Sequence, residues 1–234
     1  MVAHWKARVR PVVQGLRLGG VLPLSTAVRW YGGTDKGLHR YTEPYSVHLR
    51  SFRYRQVRVL EIGVGGDESH LPGGSLRVWR DYLPRARVVG MDLYPKDVRL
   101  GRRVRFMQGD QGNLDDLDRL FGALGGPPDI VVDDGSHLVD HGRISFEHLF
   151  PTMPSGALYA IEDVHTSYWP KYGGGVPPSS STAIGLCRDL IDDVQAQDQT
   201  FHQGYFANSL KPGSTHPQVG ELHVYPGLFI VKKA

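Results

Sequence analysis

Residues 57–66 read VRVLEIGVGG. Val57–Ile62 is a short, largely apolar run, and glycines at 63, 65 and 66 follow it at once. Such a run predicts a buried strand, and the glycines predict a tight turn into a helix, where the backbone can reverse and let a ligand come close. The alternation continues downstream. Ser75–Tyr82 has helical spacing, with Leu76, Trp79 and Leu83 in register. RVVGMD at 87–92 and Val104–Gln108 read as second and third strands. Asn113 is placed to cap a helix through Leu124, with Leu114, Leu117, Leu120 and Phe121 on one side. DIVVD at 129–133 reads as a fourth strand, Leu138–Phe150 as a helix and Gly156–Ile161 as a fifth strand.

Strands alternating with helices predict right-handed βαβ units and a parallel sheet. The end of the chain breaks the pattern. Ala183–Val194 reads as a helix, then His202–Asn208 and Leu222–Lys232 as two strands around a segment, 211–220, rich in Pro and Gly. The expected fold class is therefore α/β, a Rossmann-like, mostly parallel sheet with a C-terminal antiparallel hairpin and helices on both faces. A length of 234 residues suits one such domain with an extension. We divide it into an N-terminal helical or lid segment, 1–55, and a main domain, 56–234. Residues 170–182, PKYGGGVPPSSST, lack a regular pattern and form a candidate lid.

Composition narrows the class. Hydrophobic residues make up 40% and charged residues 22%, which is enough for a core and close to the soluble-globular norm. Between residues 1 and 58, eleven Lys and Arg face only Asp35 and Glu43. A basic face can meet phosphates, a membrane surface or an acidic partner. No aromatic-interleaved basic array or zinc-finger spacing accompanies it, so no nucleic-acid partner is expected. Cys187 is the single cysteine, which excludes an intramolecular disulfide and fits a reducing compartment. Arg17 interrupts the apolar run Val12–Leu24, so neither a signal peptide nor a transmembrane segment is expected, and the default location is cytoplasmic.

The acids mark the site. Glu61, Asp92, Asp133 and Glu162 each lie at or just past a strand's carboxyl end, where open parallel sheets bind ligands. Glu68 stands where a dinucleotide fingerprint needs its third glycine, which disfavours a pyrophosphate cradle. Asp92 suits a ribose diol, because a carboxylate accepts two hydrogen bonds, and Asp110-Gln111 is placed to read an adenine edge. Together with the glycine turn they predict a nucleoside-bearing cofactor. DDGSH at 133–137 and Glu162-Asp163 close neighbouring strands. Carboxylates gathered there would raise one another's pKa, and a divalent cation would relieve the repulsion. Oxygen ligands favour Mg²⁺ over softer metals. His137, on the same turn as Asp134, is a candidate general base.

As a set, these motifs resemble a known family. LEIGVGG at 60–66, GGSLRVWRDYLPRARVVGMD at 73–92, GDQ at 109–111, VVDDGSH at 131–137, SFEHLFP at 145–151 and AIEDVHTSYW at 160–169 are similar to the macrolide sugar O-methyltransferases, and to enzymes that methylate methylmannose polysaccharides. Gly33-Thr34-Asp35-Lys36 with His39 and Tyr41 extends the resemblance upstream, so that it covers about residues 30–232. It implies a Rossmann-like class I methyltransferase that moves a methyl group from S-adenosylmethionine (SAM) to a sugar hydroxyl with Mg²⁺. By motif position, Thr34, Glu61, Gly63, Gly65, Gly66, Ser75, Asp92, Asp110, Gln111 and Asp133 would hold SAM. Asp134, Glu162 and Asp163 would hold the metal, and His137 would be the base. We place Tyr168, Trp169 and His39 against the sugar or glycoside substrate. The macrolide enzymes carry a long N-terminal domain used in assembly that these 234 residues do not match; a homo-oligomer is an open expectation. The alternative substrate is a catechol or another phenolic natural product. An NAD-dependent oxidoreductase, a non-catalytic SAM-binding scaffold and a cephalosporin-type hydroxylase are the other readings.

Overall fold

The computed structural model describes residues 22–65, 72–197 and 215–234. Gly66 and the expected strand His202–Asn208 lie outside the described residues. Seven strands form one sheet: β1 (Arg58–Ile62), β2 (Arg87–Asp92), β3 (Val104–Gln108), β4 (Ile130–Asp133), β5 (Leu158–Ile161), β6 (Val219–Tyr225) and β7 (Leu228–Lys233). Their order is β3-β2-β1-β4-β5-β7-β6. The first five are parallel, β7 runs antiparallel to β5, and β6 runs antiparallel to β7.

The expected antiparallel pair is present, but its composition differs. Both described strands come from 219–233, and the reversal is at Pro226-Gly227, inside the stretch read from sequence as one strand. Gly227 has φ +74°, which suits the turn, while the apolar pattern runs through it and hides the break.

Central strands need apolar residues on both faces, and β1 and β4 meet that demand. Alternation sends Val59, Val88, Ile130, Val132, Leu158 and Ala160 to one core, and Leu60, Val89, Met91, Val131, Tyr159 and Ile161 to the other. The first core is covered by α1 (Leu24–Tyr31), α2 (Thr42–His48) and α3 (Gly74–Tyr82). The second is covered by α4 (Leu114–Leu124), α5 (His141–Leu149) and α6 (Ala183–Gln195). Asn113 caps α4 as its sequence predicts, accepting the Asp115 amide at 3.0 Å. The α5 helix starts at His141, three residues later than expected, because His137 turns the chain left-handed. In the N-terminal segment, Leu24, Val28, Tyr31, Tyr41 and Tyr45 are all buried in the first core.

The register positions the site. Ile62 pairs with Asp133, and Asp133 pairs with Ile161. The turns after β1, β4 and β5 therefore open side by side, at the point where the strand order reverses direction from β1. This is the crevice in which doubly wound sheets bind ligands.

Candidate active site

The glycine turn after β1 rests on the turn after β4. Gly63 has φ +80°, and a Cβ there would stand 1.8 Å from the Asp134 carbonyl oxygen. No other residue type fits without moving the backbone. Beside it opens a cleft of about 610 Å³, bordered by Thr34, Val64, Gly65, Ser75, Asp134 and His137 among others. Asp92 sits next to this cleft and accepts the Val64 amide at 3.1 Å and the Tyr94 amide at 3.1 Å, with Lys96 Nζ at 3.3 Å. Glu61 is fully buried and accepts Ser75 Oγ at 2.7 Å and Trp79 Nε1 at 3.1 Å. Burial raises its carboxyl pKa, against the opposing pull of Lys36 and of these two donors.

Two residues expected to hold the cofactor, Gln111 and Asp133, also hydrogen-bond within the protein. Gln111 Nε2 donates to Asp133 Oδ1 at 2.6 Å and to Ser145 Oγ at 3.1 Å, and Gln111 Oε1 accepts the Ser136 amide at 3.1 Å. Asp133 Oδ2 accepts Ser145 Oγ at 2.6 Å and Tyr159 OH at 3.1 Å. Both residues are buried, and burial raises the Asp133 pKa despite these hydrogen bonds. They lock the DDGSH turn from beneath. Asp110 is exposed and accepts the Gly112 amide at 2.9 Å, which leaves it facing solvent beside the crevice.

The acid cluster has a cation that the sequence argument did not count. Lys36, only 1% exposed, places Nζ 3.0 Å from Asp134 Oδ2, 2.9 Å from Glu162 Oε1 and 3.4 Å from Glu61 Oε1. Lys36 thus relieves part of the repulsion that the sequence argument assigned to a divalent cation alone. Three carboxyl groups face this one ammonium. Burial would depress the Lys36 ammonium, but Asp134, Glu162 and Glu61 outweigh it and hold its pKa well above the ordinary lysine value. Burial likewise pulls the Asp134 and Glu162 carboxyls upward, against Lys36. Glu162 also accepts Tyr45 OH at 2.6 Å. The signal for Lys36 was present in GTDK at 33–36, but its distance in sequence from the acids concealed it.

On the open side, ligating atoms of Asp134, His137 and Asp163 lie within 4.8 Å of one another. Asp163 accepts Tyr41 OH at 2.7 Å, and its Oδ2 is 3.9 Å from His137 Nε2. His137 and Asp163 have φ +57° and +51°, and Arg40 is the only other described non-glycine residue with positive φ. Strain of this kind costs about 1–3 kcal/mol per residue and persists where function or packing holds it. Both residues are turned toward the same spot by it.

Of the expected substrate residues, His39 lies within ligating distance of Asp163. His39 stacks on Tyr41 with centroids 5.4 Å apart and places Nε2 3.6 Å from Asp35 Oδ2. Tyr168 and Trp169 close a short 3₁₀ turn, Val164–Tyr168, and are 38% and 48% exposed, which leaves aromatic surface for a ligand. Trp169 meets His165 edge-on at 4.9 Å. The loop expected to be weakly ordered is tied down: the Gly174 amide bonds Trp169 O, the Gly175 amide bonds Ser167 O, and the Val139 amide bonds Tyr172 O.

Comparison with known proteins agrees with this architecture. Residues 52–160 match the FtsJ-like methyltransferase family. Over 199 residues the chain is 43% identical to mycinamicin VI 2''-O-methyltransferase of Micromonospora griseorubida, covering 84% of this chain and 48% of that protein. It is 40% identical over 204 residues to 8-demethyl-8-alpha-L-rhamnosyl tetracenomycin-C 2'-O-methyltransferase of Streptomyces olivaceus, covering 86% of this chain and 52% of that one. The solved methyltransferase of the mycinamycin biosynthetic pathway, in complex with Mg, SAH and mycinamycin VI, superposes with a TM-score of 0.79 at 40% identity, over 91% of this chain and 54% of the other. The chain thus spans about half the length of the curated relatives it matches. By sheet order, by the FtsJ-like match and by identity to these proteins, this chain is a methyltransferase-fold relative of the macrolide and tetracenomycin sugar O-methyltransferases.

Proposed function

We propose that this chain carries the catalytic site of a SAM- and Mg²⁺-dependent O-methyltransferase acting on a sugar hydroxyl of a glycoside. The observation that carries the reading is the convergence of Asp134, His137 and Asp163 at the mouth of the cleft that the glycine turn floors. That cleft has room for a nucleoside, and Asp92 beside it offers acceptors to a ribose. The oxygen donors of the acid cluster suit a divalent cation, which Asp134 and Asp163 would hold from the open side, with Glu162 behind them. Bound SAM supplies an electrophilic methyl on a sulfonium, and Mg²⁺ orients and acidifies a hydroxyl. The protein's own part is placement. His137 takes the hydroxyl proton at Nε2, with Asp163 near enough to stabilise the charged ring. Tyr41 holds Asp163 in place through its hydroxyl. Trp169 and His39 offer faces on which a sugar ring stacks. Among the described residues no helix is long and apolar enough to cross a membrane.

The test is mass spectrometry of candidate glycosides, with a catechol in parallel, incubated with SAM in EDTA and after Mg²⁺ is restored. A gain of one methyl on the glycoside, lost in EDTA and recovered with Mg²⁺, is expected. Full activity in EDTA would remove the metal from the mechanism, and methylation of the catechol alone would replace the sugar.

A further inference from the structure

Lys36 lies at the centre of the acid cluster, although its backbone belongs to the N-terminal segment. It is 1% exposed and has three carboxylates within 3.4 Å. Its ammonium also stands 5.9 Å from the Trp79 ring centroid, and Trp79 itself bonds Glu61. The Lys36 amide is 3.5 Å from Thr34 Oγ1, so the residue bordering the cleft and the residue holding the acids share one turn. Lys36 Nζ and the open-side donor group have Asp134 in common: Oδ2 faces the ammonium, while the same carboxylate contributes to the Asp134, His137 and Asp163 group.

Two cations that share a carboxylate repel each other across it. At a few ångströms, in a partly buried site, each unit charge weighs heavily on its neighbour. We propose that Lys36 is a positioning residue that acts as the resident cation of the site: it holds Asp134 and Glu162 in place and, by its charge, weakens the binding of a divalent cation there. It thereby tunes metal affinity, and it carries that effect on the segment that borders the cofactor cleft. The inference rests on the proposed metal-dependent reading of the same site.

A residue that only maintained the fold would weaken metal binding when replaced. A competing cation would strengthen it, so the sign decides. The measurement is Mn²⁺ affinity by electron paramagnetic resonance of the free ion, on the full chain without SAM or sugar. Lys36→Met is expected to bind Mn²⁺ at least tenfold more tightly than wild type. Because that variant leaves buried acids unpaired, which puts its folding at risk, a double-mutant comparison runs beside it. Glu162→Gln alone is expected to weaken Mn²⁺ binding tenfold or more. Adding Lys36→Met to Glu162→Gln removes one charge of each sign and is expected to restore affinity to within about threefold of wild type. A folded Lys36→Met with unchanged or weaker Mn²⁺ binding overturns the proposal, as does a double variant no better than Glu162→Gln. Wild type that binds SAM but no Mn²⁺ at millimolar concentration overturns the metal-dependent reading as well, whereas wild type that binds Mn²⁺ with no response to Lys36 overturns the proposal alone.

Discussion

At the scale of single residues, His137 joins an unusual backbone to the proposed role of base. Its φ of +57° aims the imidazole at Asp163 and into the cleft, a conformation that most side chains avoid. Replacing it with alanine keeps the turn's hydrogen bonds to Gln111, which go through Ser136, and removes the proton acceptor. The expected outcome is a fall in kcat of about 10²–10⁴-fold, the usual worth of a positioned base, with SAM affinity retained. Stopped-time methyl-transfer assays and a SAM titration on the same sample measure both. A nearly wild-type kcat would move the base elsewhere, and Asp133 is a poor successor because three groups already hold its carboxylate.

At the scale of elements, α3 begins directly against the backbone of the N-terminal segment at Gly74. A Cβ at Gly74 would stand 2.1 Å from the Gly33 carbonyl oxygen. Gly74→Ala is expected to cost about 1–3 kcal/mol through the forced backbone shift, visible as a lower melting temperature, and to weaken SAM binding as Thr34 moves with Gly33. An unchanged melting temperature would show that the contact is loose. The loop after β5 makes a separate claim. Trp169→Ala is expected to raise the apparent KM for the glycoside and spare SAM affinity, because the ring is half exposed and lies beyond β5. Equal loss of both affinities would mark it as a packing residue. Much of this level was legible in sequence. The strands β1 to β5, the Asn113 cap and the grouping of Asp134 with Asp163 follow from short-range pattern, because alternation and strand ends are local properties. Lys36 was missed because its partners Asp134 and Glu162 are 98 and 126 residues away. Which hydrogen bonds a buried amide or ammonium makes depends on packing, which periodicity does not encode. The β6–β7 turn was lost for the opposite reason: apolar residues on both sides of Pro226-Gly227 gave one unbroken local signal.

At the scale of the whole molecule, α6 is fastened to the approach of β6 by one buried carboxylate. Asp193 accepts the Thr215 amide at 2.6 Å and contacts His216 Nδ1 at 2.9 Å. Burial pulls its pKa upward, but the hydrogen bonds from His216 and Thr215 prevail, and the net shift is downward. A carboxyl that is more acidic folded than unfolded contributes stability above its ordinary value, near 4, and loses it as pH falls through the lower folded value. Thermal unfolding of wild type minus Asp193→Asn should therefore show a difference that is constant at neutral pH and shrinks below about pH 4. A difference independent of pH would assign Asp193 a role without its charge. The contact between Gly63 and the Asp134 carbonyl has a consequence for the molecule's ancestry and for its redesign. The proposed nucleoside seat and the proposed metal seat are cut from one piece, so neither loop is a transplantable part. A chimera that imports the glycine turn of a distant methyltransferase has to import its partner after β4 as well, and the two should be inherited together or not at all.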